Sequence, residues 1–221
     1  MKKISFAILA IIIFYSCNPS IRFETPQPLN GKNVTAFKDD YIGKFASNDS
    51  TMITITTSSI IAEKTVPIQL PMSQIENSAI YKLKNDSLFA RRLKTGFPIH
   101  IKRDSVTGLI HYKDTLFSIG TKNILRRYRG EYYLNVMTKE GFWDVKRLSF
   151  HAKNELVLNS VYLQDDLERL KDVTAVKEIR KDSSKIKNIY LVNPSHSELR
   201  KFIREGGFRR YDMFTKVIAK K

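Results

Sequence analysis

Four histidines and one cysteine are the only imidazole and thiol side chains that the 221 residues offer. His100 and His111 fall on the two arms of a predicted hairpin and could face one another. Two imidazoles make half a metal site, and the third ligand, with His151 the nearest candidate, has to come from elsewhere. His196 stands apart from that group. The simpler reading places these histidines at polar, solvent-facing strand positions. No His-x-x-x-His pair, calcium-type Asp/Asn loop, Gly-x-Ser-x-Gly turn or Gly-rich phosphate loop occurs. Gly206-Gly207 reads as a helix stop. The acidic pairs Asp39-Asp40 and Asp165-Asp166 are adjacent in sequence, at a loop and at a helix start. There they serve as partners of the helix dipole and not as a hydrolytic pair. No catalytic residue, metal ligand or cofactor-binding residue is therefore assigned, and no cofactor is expected.

Cys17 has a different context. Lys2 and Lys3 precede an apolar run from Ile4 to Phe14 broken only by Ser5, and Tyr15-Ser16-Cys17 follows. The run has the length of a signal h-region and is too short for a bilayer span, which needs roughly 20 apolar residues. Phe14-Tyr15-Ser16-Cys17 resembles the lipobox of bacterial lipoproteins. It departs from the usual Leu and small residue at the first two positions, in the aromatic manner of Bacteroidota. The resemblance implies removal of residues 1–16 and diacylglyceryl modification of Cys17, which becomes the acylated N-terminus. Several acyl chains anchor stably where one is marginal, since each buried methylene adds ~0.8 kcal/mol. As the sole cysteine, Cys17 has no disulfide partner within the chain, and acylation takes it out of nucleophilic chemistry.

Lipoproteins of that group that are exported to the cell surface carry an acidic cluster just after the cysteine. Here no acid precedes Glu24. The resemblance therefore implies a periplasm-facing position in the cell envelope, on the inner or the outer membrane. Beyond the lipobox, the Lys-rich signal, the Pro-containing stretch and the Tyr-x-Gly-x-aromatic segments described below resemble the small lipid-anchored lipoproteins of Bacteroidota. That resemblance implies a location, not an activity.

The formal net charge is +16. Residues 17–100 carry 10 Lys/Arg against 7 Asp/Glu, and residues 101–221 carry 26 against 15, so the excess falls in the second half. In an exported, tethered protein such charge meets phospholipid head groups, lipopolysaccharide phosphates or acidic proteins, and no nucleic acid is expected. The alternative is a solvated surface with no cognate partner. Aromatics interleave with the cations, as in Arg126-Arg127-Tyr128-Arg129, Tyr132-Tyr133, Phe142-Trp143 and Phe208-Arg209-Arg210-Tyr211. Such mixtures bind glycans or head groups by stacking and cation–π contacts. They are equally the two faces of a basic β-sheet, the reading preferred here.

The elements that must position these groups are mostly strands. Pro19, Pro26, Pro28 and Asn30-Gly31 make residues 17–36 an extended tether, leaving a β-rich domain over 37–221. Met52–Thr56 alternates as a half-buried strand. Phe97–Arg103 and Leu109–Tyr112 flank a turn, and Thr115–Ile119 extends the second arm. Tyr128–Val136 and Leu156–Tyr162 read as further strands. In Trp143–Phe150 the apolar parity switches between Val145 and Leu148, which predicts a bulge. Val173–Ile179 and Ile186–Val192 flank a turn, and Phe208–Val217 is a returning strand. Asp165–Leu170 is a short helix. Ser195 with Glu198 forms a capping box for a C-terminal helix that Gly206-Gly207 ends.

Tyr41-Ile42-Gly43-Lys44-Phe45 and Tyr128-Arg129-Gly130-Glu131-Tyr132 share a Tyr-x-Gly-x-aromatic pattern. This suggests two similar β halves, 37–120 and 121–221, and is similar to the Gly-x-aromatic opening strand of lipocalin-like barrels. The expected class is mainly β, an α+β arrangement of antiparallel sheets or a barrel-like domain with a short C-terminal helix. The expected role is binding of an anionic envelope component or protein partner. The alternatives are a lipocalin-like carrier of a small ligand, and an enzyme whose site is assembled only in space.

Overall fold

The computed structural model describes residues 20–90, 96–151, 154–181 and 187–218. Cys17 and the segment 1–16 expected to be its signal lie outside them. The chain is mainly β, with largely antiparallel strands and a short C-terminal helix, as its alternating segments predict. It divides into two compact units. Of the described residues, one takes 20–41 together with Phe117–Met213; the other takes Ile42–Leu116 and 214–218. These units differ from the expected halves 37–120 and 121–221, since residues 20–41 join Phe117–Met213 and the chain from Phe214 joins Ile42–Leu116.

In the first unit β1 (Ser20–Phe23) runs parallel to β15 (Lys187–Val192), which pairs antiparallel with β14 (Val176–Lys181). β10 (Asn123–Tyr128), β11 (Glu131–Met137), β12 (Trp143–His151) and β13 (Glu155–Ser160) follow one another antiparallel along the chain, and the two-residue β2 (Lys32–Asn33) adds to β10. β12 is the branch point. One edge carries β11; the other carries β13, and at Trp143 it meets Phe23 of β1.

The register through β12 is continuous, so the predicted bulge is absent. The parity switch has another cause: both faces of the sheet are covered. Trp143, Val145 and Tyr133 face a core with Ile21, Phe23 and Val192, packed by α2 (Leu163–Lys171) through Leu170 and by α3 (His196–Arg204) through Leu199 and Phe202. On the opposite face, next to the buried Leu148, Tyr132 and Phe150 meet Tyr41 at ring-centroid distances of 4.8 and 5.3 Å, and Phe37 lies 5.1 Å from Tyr132.

The expected tether over 17–36 is corrected from Ser20 onward. Ile21 and Phe23 are buried in the sheet. The Pro segment is held by side chains about a hundred positions later. Asn135 Oδ1 accepts from Gln27 N at 2.6 Å, and its Nδ2 donates to Gln27 O at 2.9 Å. Arg126 donates to the carbonyls of Pro26 and Pro28 and to Asn33 Oδ1. Fully buried backbone needs such partners, because an unpaired polar group costs about 1–3 kcal/mol.

The Tyr-x-Gly-x-aromatic echo is no duplication. Gly43 (φ 144°) opens a strand, whereas Arg129 (φ 52°) and Gly130 (φ 86°) form the two-residue turn between β10 and β11. That pair of positive φ values is what a tight hairpin requires. It also divides the single strand expected over Tyr128–Val136. The two segments meet instead: Tyr41 Oη donates to Gly130 O at 2.9 Å.

In the second unit β3 (Gly43–Ala46), β4 (Thr51–Ile55) and β5 (Ser59–Pro71) pair in sequence, and the end of β16 (Arg210–Lys216) adds to β3. Phe45, Ile53 and Ala62 form one buried row across the three strands. β5 continues beside β9 (Ser105–Ser118), which leads to β8 (Phe97–Lys102), β7 (Ser87–Ala90) and β6 (Tyr81–Lys84). A five-residue helix, α1 (Met72–Glu76), packs on that second group through Ile75. Among the described residues no strand pair closes either unit's path into a ring.

Candidate functional site

The structure separates the candidate ligands. His100 lies opposite Thr107 in the β8–β9 hairpin and not opposite His111. His111 Nδ1 is 2.9 Å from Thr65 Oγ1 on β5. His151 Nε2 is 3.1 Å from Ser149 Oγ in the other unit. His196, the first residue of α3, lies against the Tyr128 ring with centroids 4.7 Å apart and the planes tilted by 37°. Among the described residues no three His, Cys, Asp or Glu side chains gather as a metal site would.

The acidic pairs do what their helix positions imply. Asp39 and Asp40 begin a 3-10 turn, and Asp165 and Asp166 lie in the first turn of α2. Asp166 also makes a tertiary bond the sequence does not announce. Its Oδ2 accepts from Tyr162 N at 2.7 Å and from Arg209 N at 3.2 Å, while the buried Oδ1 has no partner among the described residues. Burial pushes its carboxyl up, against the two backbone bonds that pull it down.

Most of the aromatic–basic segments are core and its margin. Tyr132, Tyr133, Trp143 and Phe208 are buried, whereas Tyr211 is exposed. Arg127 lies 5.9 Å from the Tyr132 ring, and Arg129 lies 5.8 Å from Tyr128. Arg147 is tied to Glu131 by two bonds of 2.5 and 2.7 Å. Its guanidinium is held above its usual range by that carboxylate, which outweighs the opposing effect of burial. A cleft of about 360 Å³ near Arg22, Asp144, Tyr162 and Gln164 is spanned by the Arg22–Asp144 pair at 3.8 Å and gathers no reactive set.

The surface that stands out is in the second unit. Leu83, Leu88 and Phe97 form a cross-strand row through β6, β7 and β8. Leu88, Phe97, Ile99, Val106 and Ile75 make a small core. Five residues of α1 cannot cover four strands. Ile101, on the same face as Phe97 and Ile99, is therefore left 46% exposed, and Leu83 39%. Antiparallel connectivity brings the Asn85-Asp86 and Arg103-Asp104 turns to one end of this sheet. Asp104 O accepts from Met72 N at 2.7 Å and fixes the start of α1 there. A groove of about 480 Å³ runs between α1 and β6, lined by Met72, Ile75, Glu76, Ser78, Tyr81, Lys82 and Leu83, so one carboxylate and one ammonium group border it. Ile80, beside it in sequence, is 47% exposed.

Lys82, Lys84, Lys102 and Arg103 are exposed around this region, and none has a carboxylate within 4.0 Å among the described residues. The charge map changes accordingly. Divided by unit, and leaving out Lys2 and Lys3, 23 Lys/Arg face 16 Asp/Glu in the first and 13 face 6 in the second, a net of +7 each. The second unit, much the shorter, is the more densely basic. The sequence signal that could have found this surface is the pair of tight turns flanked by Leu83, Leu88 and Ile101. Comparison with protein-family models, with curated proteins and with solved structures gives no match.

Proposed function

We propose that this chain is a lipoprotein of the cell envelope, anchored through an acylated Cys17, which acts by binding a phosphate-bearing lipid head group. The observation that carries the reading is the half-covered apolar face of β6–β9, where Leu83 and Ile101 are exposed, on a group of strands that also exposes Lys82, Lys84, Lys102 and Arg103, none with a carboxylate within 4.0 Å among the described residues. Apolar side chains bordered by Lys and Arg suit an amphiphile with an anionic head. The signal sequence supplies the location.

The test uses residues 18–221 prepared without lipid. Retention is measured on phosphatidylglycerol-containing vesicles, on phosphatidylcholine vesicles and on lipopolysaccharide. The expected outcome is retention on the anionic surfaces only, lost near 1 M salt, where the Debye length falls to roughly 3 Å. The two anionic arms identify the source of the phosphate. Equal retention on phosphatidylcholine, or binding indifferent to salt, overturns the reading. Retention by acidic protein in place of both lipids transfers the surface to a different partner and overturns it too.

A further inference from the structure

β6 ends the strand path of the second unit, and among the described residues it pairs with β7 alone. The hairpin decides which of its backbone groups stay free. Asn85-Asp86 is a two-residue turn with Asn85 at φ 51°, so Lys84 and Ser87 flank it as the closing pair. Bonded and non-bonded pairs then alternate along an antiparallel ladder. Lys84 and Lys82 therefore turn their N–H and C=O groups to β7, whereas Leu83 and Tyr81 turn theirs outward. Ser78 Oγ accepts from Tyr81 N at 3.1 Å and from Ile80 N at 3.0 Å. Tyr81 O, Leu83 N and Leu83 O are left with no partner among the described residues.

The groove beside α1 opens on this edge. Tyr81, Lys82 and Leu83 all line it, although successive side chains of a strand point to opposite faces. The edge of β6, and not one of its faces, therefore borders the groove. Across it stand Met72, Ile75 and Glu76 of α1. A helix set beside an unpaired strand edge makes a slot for one more extended chain, whose main-chain bonds supply affinity and whose alternate side chains supply specificity.

We propose that this slot takes an extended segment of another protein as a further strand on β6. The two sides of β6 set the chemistry of that segment. Tyr81 and Leu83 lie on the side of Ile75, where an incoming strand meets apolar groups and the Glu76 carboxylate. Lys82 and Lys84 lie on the other side, exposed and with no carboxylate within 4.0 Å among the described residues. The segment that fits alternates apolar with acidic residues, the apolar ones against α1 and the acids beside the two lysines. A second copy of the same edge does not fit, because antiparallel pairing sets Lys82 against Lys82 or Lys84. Strand addition uses the backbone of β6 and the flank of α1. Ile101, Lys102 and Arg103, on which lipid binding also draws, take no part in it.

The experiment titrates residues 18–221, which hold every described element, with labelled peptides followed by fluorescence anisotropy. The probes are an alternating Val-Glu hexapeptide, an alternating Val-Lys hexapeptide, and a block peptide of three Val and three Glu. The alternating acidic peptide should bind roughly tenfold more tightly than either of the others. Equal affinity for the lysine peptide overturns the acidic assignment, and equal affinity for the block peptide overturns the alternation. Leu83→Pro deletes an outward N–H and leaves the bonds to β7 in place, whereas Leu83→Ala trims the side chain and keeps the N–H. Binding should fall about tenfold in the first and about threefold in the second. Equal losses overturn strand addition. Hydrogen exchange on the unaltered protein gives a readout free of any variant's folding. Saturating acidic peptide should slow exchange of the Leu83 amide several-fold, and unchanged exchange there overturns the proposal while leaving vesicle retention as it was.

Discussion

Trp143 and Leu88 both lie in β-strands and both are buried, yet their surroundings differ in kind. Around Trp143 the sheet is covered on both faces. Two nine-residue helices supply Leu170, Leu199 and Phe202 on one side, and a cluster of edge-on aromatic rings fills the other. Around Leu88 only a five-residue helix covers one face. Nearer β4 the second unit thins further. β4 stays paired with β5 only as far as Lys64, and β8 with β9 only as far as Gly108. Between those limits Val66, Leu109 and Tyr112 are exposed on a two-stranded ribbon held by the Thr65–His111 and Glu63–Lys113 contacts. The contrast teaches where stability and where recognition can reside. A double-sided core tolerates little change, whereas a single-sided one leaves apolar groups available to a partner.

The largest test of that contrast is a pair of truncations. Phe202→Ala removes a fully buried ring whose space Gly207 helps to define, and it should cost about 3–5 kcal/mol. Leu88→Ala should cost about 2 kcal/mol, because a small cluster covered on one side collapses more easily into the space left. Urea unfolding followed by Trp143 fluorescence reports the first unit, and far-UV circular dichroism reports both. If Leu88→Ala shifts the Trp143 transition as far as Phe202→Ala does, the units are not energetically distinct.

Next in size is the ion pair on β11 and β12. Glu131→Gln weakens a two-bond contact between side chains only 24% and 19% exposed and should cost about 2 kcal/mol. In the second unit Asp49 pairs with Lys64 at the surface. Asp49→Asn should leave the denaturation midpoint unmoved, because exposed pairs contribute little. Equal losses in the two variants would erase the distinction.

Asp166 gives a smaller, pH-dependent effect. Its folded pKa is raised by burial. The stabilising contribution is thus fully present below the unfolded carboxylate value of about 3.9 and is lost as pH rises through the folded value. Asp166→Asn should flatten the fall in stability of the first unit above about pH 4. An unchanged slope would place the pH dependence elsewhere.

The smallest expected change in stability carries the largest functional one. Leu83→Ser with Ile101→Ser should alter stability by about 0.5 kcal/mol or less, as exposed positions do. The same change should weaken retention on anionic vesicles severalfold. Unaltered retention would detach recognition from the open face.

Local chemistry was legible in the sequence, and long-range support was not. The Ser195–Glu198 capping box stands as expected, with Glu198 Oε2 accepting from Ser195 N at 2.7 Å, because it needs only residues three apart. The β8–β9 hairpin was visible in its flanking strands, although its turn is tighter than expected and sets His100 against Thr107. The parity switch in β12 is visible in the sequence but its cause is not, since a single strand does not reveal that both of its faces are covered. β1 was hidden for a related reason. Four residues beside prolines resemble a spacer until β15, Asn135 and Arg126 supply the partners. The exposed end of β6–β9 was missed because exposure there results from what α1 is too short to cover.

The parallel seam between β1 and β15 also sets the order of assembly. A ribosome releases Ser20 long before Val192, so the first strand of the domain waits for a neighbour encoded about 170 positions later. Closing so large a loop is entropically costly, and sheets of high contact order form slowly. The stretch Ile42–Leu116 is contiguous and meets no such delay until the last strand returns at Thr215 and Lys216. For most of its synthesis the chain therefore carries an unpaired N-terminal strand, which makes β1 the segment most in need of shielding during biogenesis.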